Sequence, residues 1–138
     1  MKTAGAIPHA IVRLTGMTQV VLGGLFWSGR ALQLRLLHML VGMIFVIALW
    51  ALAGLAARAG LGALRTTLVV GWGILIPGFG MAHAAMLPGP QHWVVQVIHL
   101  LIGVAAMFIA AALARFIHVG GAGAGTASRT VPPNARAA

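Results

Sequence analysis

Six histidines and nine lysines and arginines are the only side chains in this chain that titrate; Asp, Glu, Cys and Tyr do not occur. Two of the histidines, His38 and His99, lie inside two of its most apolar stretches. An ionisable group in such surroundings is a functional suspect, because leaving it without a partner is expensive. With no carboxylate in the chain, these rings and the arginines must find partners outside its own side chains. The same absences exclude whole classes of chemistry. Carboxylate acid–base catalysis, Ser–His–Asp and Cys–His nucleophiles, disulfides and thiolate metal sites all need residues that are missing.

His38 and His99 share a local pattern. Leu37-His38-Met39-Leu40-Val41-Gly42 aligns with Ile98-His99-Leu100-Leu101-Ile102-Gly103. Each His is followed four residues later by a Gly, on the same face of a helix. Two imidazoles from co-directional helices can ligate one iron from opposite faces of a haem. Gly42 and Gly103, one turn along, would leave room for the macrocycle against each helix. Its edges suit apolar walls, and its two propionates need cations. Arg35 is three residues before His38 and nearly on its face, Arg30 is close in sequence, and His92 lies seven residues before His99 on one face.

This arrangement resembles small bacterial membrane b-type cytochromes, in which helix-borne histidine pairs hold haem b within a four-helix bundle. The resemblance rests on His38, His99, Gly42, Gly103 and the helix count, and covers roughly residues 11 to 118. It implies His38 and His99 as iron ligands, and Arg30, Arg35 and His92 as propionate partners. Two ligating imidazoles leave iron no open position, which favours electron transfer over stand-alone enzymatic chemistry. The electron partner would be a quinol or a neighbouring redox protein. His83 and His92 are unmatched in the repeat, so a second haem would have at most a weaker site. His83 itself reads as a hydrogen-bonding residue of the membrane interface.

The elements that must position these residues are membrane helices. With 61% hydrophobic residues and a formal charge of +9, the chain lacks the mixed-sign surface of a soluble domain. A span needs about 20 apolar residues, and four stretches qualify, at about 11–28, 36–57, 66–87 and 93–114. Short connections predict an all-α four-helix transmembrane bundle over residues 1–119, built as two helical hairpins related by an axis along the membrane normal. Pro77 in the third span predicts a packing kink. Residues 120–138, rich in Gly and Ala with two arginines, read as a disordered basic tail. Lys2, Arg13, Arg58, Arg65, Arg115, Arg129 and Arg136 fall on one side and only Arg30 and Arg35 on the other. Positive charge stays inside, so both termini should be cytoplasmic in a multi-pass protein of a bacterial inner membrane. His38, His83, His92 and His99 then collect in the outer half, while His9 and His118 are interfacial. The basic residues flank apolar runs rather than lining a polar face, which argues against nucleic acid.

Two other classes fit the same residues. Met39, Met43, Met81 and Met86 with His38 and His83 form a soft-donor set suited to copper, although methionine is also a flexible core filler. Alternatively the chain is a non-catalytic anchor or accessory subunit of a larger complex, in a homo- or hetero-oligomer. Gly23, Gly24, Ala51, Ala53, Gly54 and Ala57 would then offer close-packing faces. Proton translocation needs a relay of titratable groups across the membrane, and none continues below His99. Gln19, Thr15 and Thr18 in the first span serve at most as bonds between helices.

Overall fold

The structure is a computed structural model that describes residues 5–127. It contains four helices: α1 (Ala6–Trp27), α2 (Arg35–Arg58), α3 (Ala63–Ala82) and α4 (His92–Ala127). Short 3₁₀ turns, Leu32–Leu34 and His83–Ala85, lead into α2 and out of α3. All four helices are long and apolar enough to cross a membrane. At 1.5 Å per residue even the 20-residue α3 reaches about 30 Å, the thickness of the hydrocarbon. The chain is a multi-pass membrane protein.

The helix ends follow from local chemistry. Gly29 has φ +73° and Gly60 φ +98°, in the left-handed region that glycine enters without a Cβ penalty. Around Gly29, the Arg30 N–H donates to Leu25 O and the Gly29 N–H to Phe26 O. Around Gly60, the Leu61 N–H donates to Ala56 O and the Gly60 N–H to Ala57 O. Both are Schellman closures that satisfy the last carbonyls of α1 and α2. The third span ends at Ala82, before the apolar run does, and a 3₁₀ turn carries the chain to Ala85, ahead of a left-handed Leu87 at φ +45° and Pro88. The fourth runs on to Ala127, into the stretch whose composition predicts a tail. A helix already nucleated adds one bond per residue. The rest of that stretch, with Arg129 and Arg136, lies outside the described residues.

α1 packs against α2 and α4, α3 packs against the same two, and α1 and α3 do not meet. The co-directional pair α2 and α4 therefore forms the central diagonal. Gly16 is what lets α1 close on both: a Cβ there would lie 2.8 Å from Met107 Sδ and 3.1 Å from Phe45 Cε2. Two indoles hold α3, with Trp50 Nε1 donating to Val70 O and Trp72 Nε1 to Ile102 O, each at 3.2 Å. Pro77 lies inside α3. Of the glycines near it, Gly73 receives the Trp50 indole and Gly80 faces His99, whereas Gly78 is open.

The core is not central. Its buried residues, among them Val12, Leu49, Leu52, Ala110, Leu113 and Ile117, lie at the end carrying the termini. Toward the other end, the interior positions Gln19, Phe26, His38, Phe79 and His99 keep partial exposure. No polar or charged residue is fully buried among the described residues.

Candidate functional site

Four histidines meet at the loosely packed end. The His38 ring on α2 faces His99 on α4, with centroids 6.4 Å apart and planes tilted by 51°. His83 stacks on His99 at 5.5 Å and 6°. His83 also stacks on His92, at 5.8 Å and 24°. His92 and His99 are two turns apart on α4, about 10.5 Å along the axis, and His83 sits between them. Aromatic side chains close the flanks: Phe79 stacks on His99 at 6.0 Å, and Phe26 meets His38 edge-on at 5.3 Å.

The rings fall into two kinds. The Nδ1–H of His83 donates to Gly80 O at 2.5 Å, and that of His92 to Met86 O at 3.2 Å. In each, the backbone carbonyl fixes the tautomer and leaves the Nε2 lone pair free. His38 and His99 differ, because the Nδ1 of each is buried without a partner. Buried ring nitrogens in that state mark a place where a bound group or water belongs. Gln19 Oε1 is a third such atom.

Gln19 is the residue that the pattern of histidines does not flag. Its Nε2 donates to the His38 carbonyl at 2.7 Å, tying α1 to the turn that carries the ring. Thr15 and Thr18 instead bond back to carbonyls of their own helix, Ile11 O and Leu14 O. The two glycines of the repeat are consequently not equivalent. A Cβ on Gly103 would meet nothing within 4 Å, so that face of α4 is open. A Cβ on Gly42 would collide with the Gln19 amide, so the space at Gly42 is taken by Gln19 rather than left free. The glycine that borders the His99 ring is Gly80 of α3, whose added Cβ would lie 3.1 Å from His99 Cε1. Its signal in the sequence is only its position three residues before His83.

Arg35 begins α2 and Arg30 lies in the connection before it, both exposed and both at the histidine end. The soft-donor methionines do not turn inward: Met39, Met43, Met81 and Met86 are all exposed on the outside of the bundle. Among the described residues, no group of three or more His, Cys, Asp or Glu side chains is close enough to hold a metal ion. Of the six small residues with close-packing potential, Ala53 is buried in the core, while Gly24, Ala51, Gly54 and Ala57 are exposed. Comparison with known proteins finds no matching family model, no similar curated protein and no similar solved structure. The functional reading therefore rests on the geometry of the cluster.

Proposed function

We propose that this protein is a membrane cytochrome b that carries one haem b for electron transfer, with His38 and His99 as the residues that would hold its iron. The observation that carries this reading is the 6.4 Å between their ring centroids. An imidazole–iron–imidazole unit, with metal–nitrogen bonds near 2.0 Å and roughly 1.2 Å from nitrogen to ring centre, spans about 6.3 Å. The partnerless buried Nδ1 atoms of the same two rings also fit a group that binds there. Held there, haem would supply one-electron transfer.

The chain's own residues then have defined roles. Gln19 holds the turn of α2 that presents His38. Gly103 keeps the α4 face beside His99 clear. Arg30 and Arg35 are the cationic groups at that end for two propionates; with its Nδ1–H given to Met86 O, His92 has no donor left for them. The donor or acceptor is a quinol from the lipid or a neighbouring redox protein, and the membrane is a bacterial inner membrane, in which the charge count favours cytoplasmic termini.

The test is an absorption spectrum of purified, dithionite-reduced protein. A sharp α band in the wild type that disappears in both His38→Ala and His99→Ala, with helicity retained, supports haem ligation by these residues. A band that survives either substitution overturns the ligand assignment. A colourless wild type that retains copper would favour metal handling. A colourless, metal-free protein that copurifies with a larger complex would favour an accessory subunit.

A further inference from the structure

The end of the bundle opposite the histidines carries cations from every helix and no acid to meet them. His9 lies within electrostatic range of Arg13, Arg115 and His118, Arg58 ends α2, and Arg65 is in the first turn of α3. On the outside of the bundle between α1 and α2 runs a groove of about 650 Å³. Ile7, Ile11, Ile47, Ala51 and Gly54 line it, and Arg58 stands at one end. Its α2 wall runs from Ile44 to Arg58. At 1.5 Å per residue that is about 21 Å, somewhat more than the roughly 15 Å of hydrocarbon in one leaflet. The groove exists because α2 is small there: Ala51 and Gly54 are exposed, and a Cβ on Gly54 would meet nothing within 4 Å.

We propose that this groove is a binding site for one anionic phospholipid. The acyl chain lies along α1 and α2, and the phosphate accepts hydrogen bonds from the Arg58 guanidinium. The preference for an anionic lipid follows from composition. A zwitterionic headgroup brings its own cation, and this chain has no carboxylate to receive it. That cation would instead sit beside Arg58. The proposal does not depend on what binds at the histidine end.

The experiment is native mass spectrometry of the detergent-solubilised full chain with equal phosphatidylglycerol and phosphatidylcholine. Wild type should keep one phosphatidylglycerol adduct about fivefold more than phosphatidylcholine, the ratio given by about 1 kcal/mol for one cation near an anionic headgroup. Arg58→Gln should lower that preference by about the same factor. Gly54→Leu fills the groove without touching the charges and should lose the tight adduct of either lipid. Ala51→Leu repeats that test at a second exposed position should Gly54→Leu fail to elute as a folded species. Equal retention of the two lipids by wild type overturns the proposal. So does an unchanged preference in Arg58→Gln, or a wild-type adduct in the groove-filling variants.

Discussion

Replacing Gln19 by methionine separates what this side chain does for the fold from what it does for the site. The variant keeps the length that fills the notch at Gly42 but removes both polar atoms. It loses the hydrogen bond from Nε2 to the His38 carbonyl. Such a bond between membrane helices is worth about 0.6 kcal/mol on average, and up to about 1.7 kcal/mol. It also removes Oε1, which is buried without a partner and costs about 1–3 kcal/mol for as long as it stays so. The two effects oppose each other. Gln19→Met should therefore lie between about 1 kcal/mol less stable and about 2 kcal/mol more stable than wild type. Gln19→Ala, which leaves a void beside Gly42, should be less stable than either. Unfolding in mixed detergent micelles, followed by tryptophan fluorescence, gives the three values. A loss of more than about 2 kcal/mol in Gln19→Met would exceed the range for one interhelical bond. It would show that Oε1 has a partner in the folded protein and refute the assignment of an unsatisfied oxygen. On the proposed haem ligation the expected sign at the site is fixed: untying the turn that bears His38 should lower haem occupancy even where the fold gains.

Gly103→Leu should leave folding intact, since an added Cβ meets no protein atom within 4 Å and leucine favours helix over glycine. Haem per protein should nonetheless fall; unchanged haem content would mean that the open face of α4 is not used. Gly73→Ala forces the Trp50 indole away from α3 and breaks its bond to Val70 O. We expect a red-shifted tryptophan emission and a loss of about 1–2 kcal/mol in the same micelle assay, and an unchanged spectrum would count against that packing.

Much of the site was legible before any coordinates. The pairing of His38 with His99 could be anticipated because helix periodicity fixes which residues share a face, and span counting fixes which helices run the same way. The seven-residue spacing of His92 and His99 was equally readable. What could not be read was that His83, from a helix running the other way, would sit between them. Its place depends on α3 stopping at Ala82 and tightening into the 3₁₀ turn that begins with His83. Gln19 was readable as a bond between helices, but its partner, the His38 carbonyl, was not, and the contact of Gly80 with His99 escaped for a related reason. Each matters through a neighbour on a different helix, and no spacing within one segment encodes that neighbour.

Composition determined the solvent of this protein, and the placing of its apolar runs determined its class and its four helices. Sixty-one per cent hydrophobic residues without a single acid leave lipid as the only environment that suits its surface, and in lipid the backbone must satisfy itself as helix. The tertiary structure decided that α2 and α4 form the diagonal while α1 and α3 stay apart. It also decided that the tight core lies at one end and the histidines at the other. Those outcomes turn on which small residues meet which large ones across helices, as Gly16 meets Met107 and Gly73 meets Trp50. Such matching is a property of pairs of surfaces, and hydropathy along one strand of sequence is blind to it.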